Sequence, residues 1–302
     1  MILIHGISTR ARWMGEIKPT LEDAGFTVAP TSYGKYGLHR FLSPFIRSRK
    51  KAIERVAEDI KTARRAYKLA TGVEPAKMSV ISHSFGTYVA SRIILDYPEY
   101  DWERVIFCGS VVRDDFPFNR VLDKFRHPLL NHIGTRDFWP ALAESAGWGY
   151  GSVGSTGFNR PPVESRWHRG FRHSDFLTED FCKTFWIPFL RGEKPKKADK
   201  SVDMPKAIRA ITWLPLRWLL LLLILSPPLA AVSLTVSKFW GSLVLLTSRP
   251  EVSVETLCGK YPAFCSSAKD TLQECYHGLG KCGAEEKAIT IVCRGGKCSI
   301  VN

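Results

Sequence analysis

The sequence predicts an α/β fold over residues 1–191, a mostly parallel sheet with helices on both faces. Three observations predict it. Short apolar runs suited to strands alternate with longer stretches of helical periodicity. One of those runs passes through a Ser/Gly turn straight into a helix. The 302 residues are 45% hydrophobic and 24% charged, close to globular averages, which excludes a disordered or collagen-like chain.

The elements follow in order. MILIH (1–5) is a short apolar strand, and Trp13–Ala24 carries Ile17, Leu21 and Ala24 at helical spacing. FTVAP (26–30) reads as a strand. Residues 47–71 place Ile53, Val56, Ile60, Ala63 and Tyr67 on one helical stripe. KMSVIS (77–82) is a strand and Phe85–Leu95 a helix. RVIFCGSVV (104–112) and PLLNHIG (128–134) are further strands, and Asp175–Leu190 is a closing helix with Leu177, Phe181 and Phe185 in register. The start, MILIHG, has neither a basic n-region nor a long apolar stretch, so no signal peptide is expected.

Beyond residue 191 the composition changes. Residues 192–210 form a polar, Lys/Pro-rich linker. Residues 211–248 are expected to hold a membrane segment, because Trp218–Ser237 is an uncharged 20-residue run bounded by Arg217 and Lys238. That length spans a bilayer as a helix. Pro227-Pro228 marks either a kink in one span, the preferred reading, or the tip of a hairpin. Lys194, Lys196, Lys197, Lys200, Lys206, Arg209 and Arg217 precede the run, whereas Lys238 and Arg249 follow it. Basic flanks stay in the cytoplasm. A single-pass protein of the inner membrane is therefore expected, with residues 1–191 cytoplasmic and the tail, 249–302, outside. The tail agrees. Cys258, Cys265, Cys275, Cys282, Cys293 and Cys298 crowd it without a C-x-x-C pair, which favours three disulfides in an oxidising space over a metal site. Sequence does not choose among the pairings.

The chemistry concentrates in MSVISHSFGTYVA, residues 78–90, where a strand ends in Ser82-His83-Ser84-Phe85-Gly86 and a helix follows at once. This resembles the nucleophile elbow, G-x-S-x-G, of the α/β-hydrolase superfamily, with Ser82 in place of the first glycine. The competing reading makes Ser84 a simple helix N-cap. A second feature, Ile2-Leu3-Ile4-His5-Gly6, is similar to the His-Gly that follows the third strand in lipases and esterases of that superfamily. The resemblance covers residues 1–191 and implies either a minimal hydrolase fold or a chain whose start lies further upstream, since the family's usual first two strands have no counterpart ahead of Ile2. It implies Ser84 as nucleophile, with the amides of Ile7 and Phe85 as oxyanion donors and His5, Gly6 and Gly86 in support.

The family's order, serine then acid then histidine, directs attention downstream. Asp137 sits in the loop after the 128–134 strand and is the expected acid, with Asp114 and Asp115 as rivals. His173, in the turn before the closing helix, is the expected base, with His168 as its rival; His132, His127 and His83 are less suited. A hydrogen bond from Ser84 to His173, and a contact from His173 to Asp137, are expected. TSYGKYG (31–37), GSVVRDDFPF (109–118) and the closing HSDF segment add likeness to bacterial lipase-like hydrolases.

The resemblance implies a carboxylic ester hydrolase acting on lipid or acyl esters, with no cofactor and no metal. The rival reading is a catalytically silent hydrolase-like binding module at the membrane. The glycines of GWGYGSVGSTG (147–157) predict a mobile loop bordering the site, and Trp139, Trp148, Trp167 and Trp186 are expected to line an apolar acyl pocket. The net charge of +14 favours anionic partners. Nine basic residues on the helix 47–68, Arg49 among them, read as a solvated face or one turned to anionic lipid. Nucleic acid is not expected, because no recognised binding motif accompanies the charge.

Overall fold

Six parallel strands are laid out in the order β2-β1-β3-β4-β5-β6 in a computed structural model. They are β1 (Ile2–Ile4), β2 (Ala29–Pro30), β3 (Met78–His83), β4 (Trp102–Cys108), β5 (Leu129–Gly134) and β6 (Val163–His168). The structure describes residues 1–7, 12–34, 36–75, 77–193, 199, 205–223 and 226, and the strand segments 282–286, 289–294 and 297–301.

Parallel strands buried on both faces read as near-continuous apolar runs. β1 and β5 are buried along their whole length, and β3 nearly so. On one face lie α3 (Ile46–Thr71) and α4 (Phe85–Asp96), where Val56, Ile60, Phe85, Val89 and Ile93 pack on Ile2, Val80 and Phe107. Gly72, in the left-handed conformation, ends α3 and donates its amide to Lys68 O. On the other face α1 (Arg12–Asp23) buries Ile17 and Leu21 with Leu3, Ile81, Ile106, Phe181 and Trp186. Shorter helices are α2 (Leu38–Leu42), α5 (Trp139–Ala146), α6 (Val153–Thr156), α7 (Glu179–Phe181), α8 (Ile187–Arg191) and α9 (Lys206–Trp213).

From β1 the chain steps outward to β2, then crosses back to β3 on the other side of β1. Such a reversal opens a crevice beyond the carboxyl ends of the two inner strands, where open α/β sheets bind ligands. His5-Gly6 and Ser84 leave β1 and β3 there, in a register that pairs Ile4 with Ser82.

Several elements differ from expectation. The strand over 26–30 shortens to Ala29–Pro30, and that over 104–112 ends at Cys108. β6 was not foreseen because it is an edge strand: VESRWH is half exposed and polar, without a buried-strand pattern. The closing helix starts at Glu179, capped by the Thr178 hydroxyl, which accepts from the Phe181 amide at 3.2 Å. A π-type turn over Cys182–Trp186 interrupts it just before Pro188, which has no amide to donate.

Residues 206–213, expected in the linker and at the start of the membrane segment, form α9 on the same compact unit, Met1–Leu222. No helix among the described residues is long and apolar enough to cross a membrane; most of the expected span lies outside them. A second unit contains a three-stranded antiparallel sheet, Cys282–Glu286, Ile289–Arg294 and Lys297–Val301. Cys258, Cys265 and Cys275 lie outside the described residues, and Cys282, Cys293 and Cys298 are described in backbone alone. Cys108 and Cys182 are free and buried.

Candidate active site

Ser84 sits between β3 and α4 with φ +56° and ψ −127°, the one non-glycine with positive φ among the described residues. Such a conformation costs on the order of 1–3 kcal/mol and persists only where packing enforces it. Here three hydrogen bonds enforce it. The Ser84 amide donates to Cys108 O (3.0 Å), and the Thr87 amide and hydroxyl both donate to Ser84 O (2.9 and 2.7 Å). The Ser84 side chain makes no capping bond to α4, so the N-cap reading fails.

The glycines around it permit close approach. A Cβ at Gly86 would stand 2.5 Å from the carbonyl oxygens of both Ile4 and His5, so α4 meets β1 only because no side chain intervenes. A Cβ at Gly6 would stand 2.8 Å from Ser84 Cβ. The turn after β1 therefore lies directly against the serine. Phe85 opens α4, so its amide has no partner within the helix and remains a donor, as an oxyanion site requires. Ile7 follows Gly6 in the adjoining turn.

Asp137 and His173 are brought together. His173 Nδ1 lies 2.9 Å from Asp137 Oδ2 and 3.1 Å from Oδ1. Asp137 is fully buried and held in place: its Oδ1 accepts from the Trp139 amide (3.1 Å), and its backbone carbonyl accepts from the Ser155 hydroxyl (2.6 Å). Both groups press on the end of β4. A Cβ at Gly109 would come 2.8 Å from His173 Nδ1 and 3.1 Å from Asp137 Oδ2.

The expected hydrogen bond between Ser84 and His173 is not formed; among the described residues none links them. Instead, His83 contacts His173. Its Nε2 lies 2.8 Å from His173 O, and the two rings lie 4.6 Å apart. Because a carbonyl can only accept, His83 Nε2 carries the proton and Nδ1 is left bare, buried and unpartnered. Burial, with His173 adding to it, lowers the His83 pKa to about 3, so this imidazole is neutral. Apo hydrolytic sites often tighten their catalytic hydrogen bonds only with substrate in place.

Asp114 is exposed, and the other rival residues are bonded elsewhere. Asp115 forms a two-pronged pair with Arg113 (2.8 and 2.6 Å). His168 Nε2 is bonded to His132 Nδ1 at 2.8 Å, and His127 Nε2 to Glu103 at 3.0 Å.

Other expectations are corrected. The 147–157 segment is largely buried, and Gly151 and Gly154 lie against the backbone of Val112–Arg113 and of Ser110, leaving no room for a side chain. Trp186 is fully buried in the core, meeting Trp13 at 6.4 Å, whereas Trp139 is half exposed and 6.4 Å from the His173 ring. Arg49 is buried rather than solvated, and donates to the carbonyls of Trp148 and Pro44.

Three contributors were missed as such. His83 contacts the His173 backbone 90 positions away, which leaves no local signal in the sequence. Tyr33 stacks on His5 at 4.2 Å, and its hydroxyl donates to the carbonyls of His5 and Gly6, bracing the turn that faces Ser84. Its signal was its place in TSYGKYG. Ser155 carried none, since its carbonyl partner is 18 positions away.

A parallel sheet with this reversal, a strained serine between β3 and α4, and an Asp–His pair beyond the later strands together make an α/β-hydrolase fold. No protein-family model matches the sequence, and no curated protein matches it. Solved structures similar to it include esterase PE8, at 17% identity over 64% of this chain and 91% of that one, with a TM-score of 0.42. A monoacylglycerol lipase of Paleococcus ferrophilus is 12% identical over 64% of this chain and 94% of that one, with a TM-score of 0.40. The esterase Pf2001 of Pyrococcus furiosus is 16% identical over 60% and 81%, with a TM-score of 0.36. A shared fold does not carry an activity with it.

Proposed function

We propose that this chain is a membrane-attached serine hydrolase that cleaves carboxylic esters of lipid or acyl substrates. The observation that supports it most is the buried Asp137–His173 hydrogen bond at the sheet end where Ser84 is held strained. With Nδ1–H given to Asp137, His173 keeps Nε2 as a free base. In this reading Nε2 takes the hydroxyl proton of Ser84 as Oγ adds to the ester carbon. The amides of Ile7 and Phe85 receive the developing oxyanion. His173 returns the proton to the departing alcohol, leaving an acyl-enzyme that water, deprotonated by the same imidazole, then cleaves. Asp137 holds the ring and balances its transient positive charge.

Attachment is assigned to the uncharged run 218–237, with residues 1–191 in the cytoplasm and the cysteine-rich tail outside. The missing Ser84–His173 hydrogen bond favours a second reading, a silent binding module built on the same fold. A fluorophosphonate probe separates the two. The expected result is one label per chain, at Ser84, with labelling and ester hydrolysis both lost in Ser84→Ala. Equal hydrolysis by parent and Ser84→Ala removes the enzyme reading.

A further inference from the structure

Resting on that hydrolase reading, we infer that residues 205–219 form an arm seating the mouth of the site on a lipid bilayer, so that its substrate is an acyl ester resident in the membrane. The arm is fastened at one place. Ile208 of α9 is buried, and α9 packs along α5. The Ser145 hydroxyl donates to Leu214 O, and Arg217 Nη2 donates to Glu144 O at 2.6 Å. The Arg217 guanidinium stands 5.9 Å from the centre of the Trp148 ring, which meets Trp218 edge-on at 5.1 Å. Residues 214–218 are thus clasped to the C-terminal end of α5.

The other end of α5 is the catalytic end. Trp139 begins that helix, its ring 6.4 Å from His173 and stacked on Phe138 at 5.0 Å. Eight helical residues span about 12 Å. One short rigid element therefore joins the candidate base to the arm.

The arm and the residues that follow it carry large exposed apolar side chains. Trp213 is 83% exposed, and Trp218, Leu219, Leu222 and Leu223 are all more than half exposed. Each such side chain gains roughly 1.5–3 kcal/mol when removed from water, and soluble monomers rarely leave a contiguous patch of them uncovered. The occupant we assign is a bilayer. From Trp218 the chain runs on as 20 uncharged residues, long enough to span hydrocarbon. Tryptophan favours the headgroup level, and the exposed Lys206 and Arg209 supply cations for anionic headgroups. A lipid's ester groups lie at that depth. With the clasp closed, the ester enters the site without crossing water.

The test uses the full chain in vesicles of phosphatidylcholine and phosphatidylglycerol. Arg217→Glu combined with Trp218→Ala opens the clasp away from the catalytic residues. Hydrolysis of a long-chain acyl ester dissolved in the same bilayer is expected to fall about tenfold, with turnover of a water-soluble short-chain ester unchanged. Parent-like turnover of the bilayer ester overturns the inference. A variant that loses both activities has lost its fold, and a photoreactive benzoylphenylalanine in place of Trp213 then decides. Crosslinks to lipid support the bilayer, whereas crosslinks to a second copy, or none, overturn it. Labelling is independent of Ser84 chemistry, so a silent Ser84 fails the hydrolase reading while leaving the docking result intact.

Discussion

Two histidine pairs lie on this sheet, one at the end of β3 and one on β5 and β6, and they behave differently. His83 and His173 meet at the end of β3, where a ring nitrogen of His83 donates to the backbone carbonyl of His173. The His173 ring itself stays free to pair with Asp137. His132 and His168, on β5 and β6, instead bond ring to ring at 2.8 Å among Phe176, Phe181 and Phe185. Burial lowers both pKa values, that of His168 to about 4. One ring donates, the other accepts, and neither is hydrogen-bonded to a carboxylate. Burial beside another histidine is common to both pairs. What qualifies a ring as a base is a carboxylate on one nitrogen and an open second nitrogen.

The sharpest test exchanges the roles. Asp137→Asn is expected to lower kcat on the order of 10⁴-fold by upsetting the His173 tautomer. His168→Gln is expected to leave kcat near that of the parent, measured per folded molecule. A comparable loss from His168→Gln would make the core pair part of the machinery and dissolve the contrast.

A smaller effect separates the pairs by pH. An unfolded histidine titrates near 6.5, whereas folded His168 and His83 hold only to about 4 and 3. Between those limits the unfolded chain binds more protons, so stability is complete above pH 6.5 and declines as pH falls towards 4. The slope is about 1.4 kcal/mol per pH unit for each such histidine. Urea midpoints from pH 7 to 4 should show it, with a shallower slope in the His132→Phe/His168→Leu double variant. An unchanged slope would mean that the pair is not held neutral.

The smallest effect lies in the coupling of that pair. Either single substitution strands a buried ring nitrogen and is expected to cost about 1–3 kcal/mol, whereas the double variant should cost less than the sum. Strict additivity in urea unfolding would show that the 2.8 Å bond contributes nothing.

Legibility follows how local each cause is. The serine elbow was readable because strand, turn and helix chemistry all fall within residues 78–90, and Gly86 must be small whatever surrounds it. α3 was readable because its apolar stripe repeats over seven turns. β6 was not, since an edge strand has no buried period to display. Nine cations on α3 looked alike, yet Arg49 is buried by the carbonyl of Trp148, 99 positions away.

The sequence alone determined the α/β class and the turn that holds Ser84, because periodicity and turn chemistry act between near neighbours; the order of the candidate acid and base after it was implied by the family resemblance. The family resemblance pointed to Asp137 and His173, but the ring-to-ring bond of His132 and His168 left no signal in the sequence. Only the tertiary structure decided this, since a hydrogen bond 36 residues apart in either pair depends on strand register. In β5 and β6 that register sets Gly134 against His168, turning one histidine into the core and leaving the turn beyond β6 to deliver the other to Asp137.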